Sequence, residues 1–129
     1  MTITLLYAGL LAFVFLTLSF RVIALRKHGA SLGDGGDPIL LRRIRAHGNF
    51  SEYVPFVLLM MALLEMSHIS GMIIHALGIT LLIGRLLHGY ALSFNESFKF
   101  GRFWGTLLTF LTLIVGGLLA IYQGIMGGV

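Results

Sequence analysis

The sequence predicts an all-α polytopic membrane protein, a bundle of four transmembrane helices, and three observations carry that prediction. Only 11% of its 129 residues are charged and 57% are hydrophobic, where a soluble domain carries roughly 25% charged residues. Met1–Phe20, Met66–Gly84 and Phe103–Val129 contain no Asp, Glu, Lys or Arg at all. A further apolar run, Tyr53–Leu64, is short by itself but is extended at both ends by helix-compatible sequence. A hydrocarbon core about 30 Å thick is crossed by roughly 20 apolar residues as helix. Helix is the default there because lipid cannot satisfy exposed backbone groups.

The first helix is expected over about Thr2–Arg26. It lacks a basic start, is long and has no small-x-small site before Arg21, so it reads as a retained helix and not as a cleaved signal. "HGASLGDGGDP" follows, a glycine-rich surface loop. No strand precedes it, which argues against a phosphate-binding loop. Its end, Asp37–Pro38, suits an N-cap followed by proline at the first helical position, and the second helix is expected over Pro38–Ser67. The third is expected over Gly71–Ser93 and the fourth over Lys99–Ile125, all within one domain spanning 1–129.

Basic residues give the expected orientation. Arg26, Lys27, Arg42, Arg43 and Arg45 flank the first loop, and Lys99 and Arg102 the third. The second connection, "EMSHISG", and both termini have no Lys or Arg. The positive-inside rule then places loops 1 and 3 in the cytoplasm and both termini outside. On that topology the Asn95–Glu96–Ser97 sequon faces the cytosol and carries no glycan. The net charge of +4 is absorbed by topology and site, so nucleic-acid binding is not called for. The chain has no cysteine, which excludes disulfides and any protein thiol as nucleophile; thiol chemistry would need the thiol to arrive as a ligand.

The stretch "RIRAHGNFSEYVPF", Arg43–Phe56, breaks the avoidance of charge. At about 100° per residue, Arg42, Arg45, Asn49 and Glu52 fall within an arc of roughly 80°, with Phe56 continuing the stripe. Arg42 and Arg43 alone would serve as a basic headgroup anchor. Glu52 lies deeper than an anchor needs to reach, and a charge there costs on the order of 2.5–3.5 kcal/mol on insertion scales, which marks a site or an internal pair. "GRLLHGYA" places Arg85 at a comparable depth on the third helix, with His88 three residues on and Tyr90 about 140° away. An Arg85–Glu52 ion pair is one expectation. The surplus of Arg45, Asn49, Arg85 and Arg102 over one carboxylate is another, pointing to an anionic ligand held by guanidinium forks.

"RRIRAHGNFSEYVPF" resembles the signature of the MAPEG family, the membrane-associated proteins of eicosanoid and glutathione metabolism. "FSEYVPF" and "GRLLHGYA" look like the leukotriene C4 synthase branch, and "RAH.N" like the prostaglandin E synthase branch. The resemblance covers nearly the whole chain. It implies a homotrimer in a bacterial inner membrane, with glutathione as co-substrate bound between neighbouring subunits near the cytosolic face. By motif, Arg45, Asn49, Glu52 and Tyr53 hold the tripeptide from the second helix, with Arg42 on the same face. Arg26 reaches it from the first helix, and Arg85, His88 and Tyr90 from the third. Arg102 stands where the family has the catalytic arginine that lowers the thiol pKa. Glutathione brings two carboxylates, an ammonium and a thiol, a sensible match for several arginines and one Glu.

Phe103 and Trp104 follow Arg102 where the prostaglandin synthase branch carries a serine, and a second fourth-helix tyrosine is missing. A glutathione transferase or hydroperoxide reductase acting on lipophilic electrophiles or lipid hydroperoxides therefore fits better than an isomerase. A non-catalytic glutathione binder, or a small four-helix transporter or assembly subunit, is the alternative. Small exporters of this size usually carry a mid-membrane acidic residue in the first helix, and Met1–Phe20 has none.

No metal site is expected. Glu65 and His68 read as a solvated cap, and His75 as a hydrogen-bonded packing residue. Gly116–Gly117, Gly124 and Gly127–Gly128 read as sites of close helix approach.

Overall fold

The computed structural model describes residues 1–27 and 29–127, and in it the chain forms four α-helices: α1 (Thr2–Arg26), α2 (Pro38–Met66), α3 (Gly71–Ser93) and α4 (Lys99–Met126). Each is long and apolar enough to cross a membrane. α2 stops one residue before the expected end and α4 one residue after it. At 29 residues and 1.5 Å per residue, α2 is about 44 Å long. It exceeds the hydrocarbon core, so its arginine-bearing first turns lie toward the headgroups and Glu52 about halfway down.

Local chemistry sets these boundaries. Asp37 is extended and its Oδ1 accepts the Ile39 N–H at 2.9 Å, with Pro38 opening the helix. The loop before it turns through Gly33, Gly35 and Gly36 at φ +67°, +57° and +79°, a region that a Cβ makes costly. α2 ends where His68 adopts φ 61°, and the N–H groups of Ser67, His68 and Ile69 fold back onto the carbonyls of Leu63, Glu65 and Leu64.

α3 packs most extensively on α4. α2 touches all three other helices, and α1 touches α2 and α3 but not α4 among the described residues. The core runs between them through Leu11, Val57, Met61, Leu64, Ile74 and Leu81. Lipid offers no hydrophobic force between helices, so close packing and polar contacts must hold the bundle. The α3–α4 seam is built on small residues. A Cβ at Gly105 would lie 2.6 Å from the Gly84 carbonyl oxygen and 2.7 Å from His88, and one at Gly101 would lie 2.8 Å from the Leu87 oxygen. Buried Thr109 and Thr112 turn their hydroxyls onto the carbonyls of Gly105 and Thr109 in their own helix. Of the glycines expected to permit close approach, Gly116 does so, receiving the Met60 side chain. Gly117 and Gly124 do not: a Cβ at either meets nothing within 4 Å, because both face away from the neighbouring helices. Gly127 closes α4, its N–H bonded to the Gln123 oxygen at 2.8 Å, and Gly128 lies outside the described residues.

At the end opposite the arginines, Glu65 caps α1. Its Oε1 and Oε2 accept the Ile3 and Thr4 N–H groups at 3.0 and 2.8 Å, and Oε1 lies 3.1 Å from the terminal ammonium of Met1. Its side chain is only 10% exposed. It is therefore a cap, but of a neighbouring helix and out of solvent, not the solvated end of its own. His75 is hydrogen-bonded as expected, its Nδ1 3.0 Å from the Tyr7 hydroxyl, but it is exposed on the subunit surface and not packed inside, while the Tyr7 ring lies over Gly78.

Candidate functional site

The polar residues of α2 sort by helix face. Ala46, Phe50, Val54 and Val57 point into the core, and His47 and Phe50 lie against Phe15 of α1, with ring centroids 4.6 and 5.1 Å away. Arg45 and Glu52 leave on the opposite side. They form an ion pair in which both Arg45 terminal nitrogens reach Glu52 Oε1 at 3.4 and 3.5 Å, and each side chain is 53% exposed. The bridge spans two helical turns and passes over Gly48, whose added Cβ would lie 3.4 Å from Arg45 Nη1. These are long contacts, at the weak end of hydrogen-bond geometry, and they leave Glu52 Oε2 and most of the guanidinium donors free.

Asn49 lies between this pair and the interior. Its Oδ1 accepts from Arg85 Nη1 at 2.8 Å. Arg85 is 1% exposed, and its Nη2 lies 3.2 Å from His88 Nδ1. Its guanidinium carbon lies 5.7 Å from the centre of the Phe50 ring, and its Nε is buried without a partner. The expected Arg85–Glu52 pair is not formed. Arg85 turns to Asn49 and His88, and Glu52 to Arg45 on its own helix. His88 is buried against Gly105 of α4 and supports Arg85 from within the bundle.

Of the remaining candidates, Tyr53 borders this face and the others leave it. Tyr53 faces α4, with its ring 5.7 Å from that of Phe110. Arg102 is exposed in the second turn of α4 and lines a cavity of about 560 Å3 with Arg42, Glu96, Phe98, Lys99, Phe103 and others. Tyr90 lies in the groove between α1 and α3 that Arg85 also lines, stacked on Phe94 at 5.9 Å and edge-on to Phe98 at 5.7 Å. Arg26 folds back over the first loop, donating to the Gly33 oxygen at 2.6 Å. One subunit thus gathers Arg45, Asn49, Glu52, Tyr53 and Arg85 around one face of α2, meets Tyr90 only through the α1–α3 groove that Arg85 shares with it, and leaves Arg26 elsewhere.

Arg42 departs from the stripe that its helical angle assigned it. It reaches across to α3 and donates from Nη2 to the Ala91 oxygen at 3.0 Å. Arg21 of α1, not among the candidates, binds the same helix end: Nη2 donates to the Ser93 oxygen at 2.6 Å and Nε to its Oγ at 3.2 Å. Its guanidinium lies 3.7 Å above the Phe94 ring. Arg43 in turn donates to the Arg21 oxygen at 2.8 Å. The last carbonyls of α3 carry the negative end of its dipole and have no partners within the helix, so cations from α1 and α2 are well placed there. The signal for Arg21 was its place as the first basic residue after a charge-free run, at the level where a neighbouring helix ends.

The MAPEG family profile matches residues 4–122. Inner membrane protein YecN of Escherichia coli strain K12 is 42% identical over 86 residues, a stretch that covers 66% of this chain and 66% of that protein. The protein of the same name from E. coli O6:H1 strain CFT073 gives the same figures. The aligned stretch therefore spans just under two thirds of the relatives' own length. No solved structure matches the chain. The profile takes in nearly all of the four helices and every candidate site residue, and the chain belongs to the MAPEG family of membrane proteins.

Proposed function

We infer that this protein is a glutathione-dependent enzyme of a bacterial inner membrane. It would transfer glutathione to lipophilic electrophiles or use it to reduce lipid hydroperoxides. One observation carries the reading: in a membrane-spanning helix, a loose Arg45–Glu52 pair lies on the outside of the bundle, beside an asparagine tied to a buried arginine. Ionisable groups in spanning segments face a partner or a water-filled cavity. A neighbouring copy covering this face, in a trimer, meets that requirement and brings Arg26 or Tyr90 of a second subunit toward the stripe. The basic flanks of loops 1 and 3 support a cytoplasmic position for this end.

The donor set fits the tripeptide. Arg45 has free N–H groups for a carboxylate, Asn49 keeps its amide NH2, and Glu52 Oε2 can accept from an ammonium. In transfer, the thiolate sulfur forms a bond to the electrophilic carbon, the bond to the leaving atom breaks, and that atom takes a proton. In reduction, sulfur attacks the terminal peroxide oxygen, the O–O bond breaks and the alcohol leaves protonated. A second glutathione then condenses with the sulfenic acid to give disulfide and water. The role of Arg102 is to stabilise the thiolate by charge.

Isothermal titration of the detergent-purified protein with glutathione and S-hexyl glutathione tests the site. Arg45→Ala and Glu52→Gln should each weaken binding by about 1.5–3 kcal/mol, the scale of a charge-assisted hydrogen bond. Full affinity in both variants removes glutathione from this face. Turnover is read separately, as loss of free thiol, and binding without turnover would make the protein a binder only. Because the chain has no cysteine, every thiol counted belongs to the ligand.

A further inference from the structure

Arg21 does more than close the end of α3, because its guanidinium works with both its edge and its face. Along the edge, Nη2 donates to the Ser93 oxygen at 2.6 Å and Nε to the Ser93 Oγ at 3.2 Å. The face lies 3.7 Å from the centre of the Phe94 ring. A planar cation can do both at once, whereas an ammonium at the carbonyl has no face to lay on a ring. Phe94 in turn is stacked on Tyr90, with ring centres 5.9 Å apart and planes within 12°. The two residues are four apart and so share one face of α3. Phe98 of the third loop stands edge-on to Tyr90 at 5.7 Å. The Tyr90 oxygen accepts both the Phe94 and the Asn95 N–H, at 2.9 and 3.0 Å. Its ring is thus held between aromatic neighbours and is still 49% exposed, beside buried Arg85 in the α1–α3 groove.

We propose that Arg21 is a positioning residue: by clamping Ser93 and covering Phe94 it fixes the ring of Tyr90, and with it the direction in which the Tyr90 hydroxyl meets a ligand. The last turn of a helix frays where its carbonyls lack partners, and Phe94 is the residue at which α3 ends. A ring stacked there holds Tyr90 only as firmly as that turn is held. Arg21 removes the freedom of the turn from the side of α1. Arg43 braces Arg21 from α2, donating to its carbonyl oxygen at 2.8 Å. Contacts from α1, α2 and the third loop therefore converge on one tyrosine. The inference rests on the reading above for what Tyr90 touches, a glutathione, and not for how Tyr90 is held.

The chain has four tyrosines, Tyr7, Tyr53, Tyr90 and Tyr122, so the full chain grown with 3-fluorotyrosine gives few fluorine resonances. The one that Tyr90→Phe removes belongs to Tyr90. Arg21→Lys keeps the charge and Phe94→Leu keeps the clamp on Ser93, and each breaks one link of the relay. Both should move the Tyr90 resonance toward its position in unfolded protein. The Tyr7 resonance, from the opposite end of the bundle, should stay where it is, which shows that the variants are folded. Both variants should weaken glutathione about fivefold by titration, the scale of one cation–π or aromatic contact. In the Tyr90→Phe background neither should weaken it further, because a loss routed through the hydroxyl is not taken twice. A Tyr90 resonance that stays in place in Arg21→Lys overturns the proposal. So does a loss of affinity that persists in full without the hydroxyl, which would leave Arg21 as a cap of α3 alone. If the wild type binds no glutathione while the Tyr90 resonance still moves, the glutathione reading fails and the hold of Arg21 on Tyr90 stands.

Discussion

Arg85 Nη1 donates to Asn49 Oδ1 at 2.8 Å, joining α3 to α2 across 36 positions of sequence. Arg85 is almost wholly buried, and among the described residues no carboxylate stands within ion-pair distance of it. The asparagine oxygen and the His88 nitrogen are therefore what stands in for water around its charge. Asn49→Leu should destabilise the bundle by about 1.5–3 kcal/mol, the range for a hydrogen bond to a charged group. Asn49→Asp keeps an acceptor in place and should cost less. Unfolding of the two variants in mild detergent, followed by far-ultraviolet circular dichroism, checks the order. Equal stability of Asn49→Leu and wild type would mean that Arg85 finds another partner.

The α3–α4 seam makes an independent prediction. Gly105→Ala places a methyl group against the Gly84 oxygen and the backbone of His88, which are helix backbone and cannot swing aside. The helices must separate, and overpacking of this kind costs about 1–3 kcal/mol. The same change at Gly117, where a Cβ meets nothing within 4 Å, should be neutral or stabilising by up to about 1 kcal/mol through helix propensity. A matched pair of melting curves decides it, and similar losses at both positions would contradict the packing described.

The sequence made the helices legible because their signals are local. Charge-free runs gave the spans, and Asp37–Pro38 marked the start of α2 to the residue. The 100° period of α2 put Arg45, Asn49 and Glu52 on one face, and they share it. What failed depends on neighbours. Asn49 and Glu52 differ by three residues, about 4.5 Å of rise, so depth alone could not decide which of them meets Arg85. Arg42 has the right helical angle, but its long side chain swings to the end of α3, and no pattern within α2 encodes where another helix stops. For the glycines, the doublet Gly116–Gly117 was the visible signal, yet adjacent residues point about 100° apart and only one can face a given neighbour. Gly101 and Gly105, four apart, share a face, and that spacing was the signal to read.

On the reading proposed above, the exposed ion pair calls for assembly. Arg45 and Glu52 are each about half exposed on a lone subunit, and Glu52 lies midway down α2, where a lipid-facing charge costs on the order of 2.5–3.5 kcal/mol on insertion scales. On the proposed reading this face is covered by a second copy. Native mass spectrometry in mild detergent should give oligomers, with three copies expected from the family resemblance. Dilution that yields monomers should abolish glutathione binding at the same time. A monomer with full affinity would sink the shared site.

The remaining prediction concerns Arg102. A free thiol titrates near 8.5, so only a few per cent is thiolate at pH 7, and the thiolate is the nucleophile. A cation within hydrogen-bond range can lower that value by about 1–3 units, and a shift beyond about 1.5 units makes thiolate the main bound species at pH 7. The sign is that of any acid beside a positive charge: the charged form is favoured, so the transition moves to lower pH. Arg102 suits the task because, among the described residues, no carboxylate pairs with it. Phe103 and Phe110 in the same cavity reduce screening by water. Thiolate absorbs in the ultraviolet where the thiol does not, so a difference spectrum of bound against free glutathione across pH reads the shift directly. Arg102→Ala should return the transition toward that of free glutathione, and Lys99→Gln, in the same cavity, should leave it lowered. An unchanged titration in Arg102→Ala, with glutathione still bound, would assign Arg102 to the headgroups and place thiol activation on another cation of the stripe.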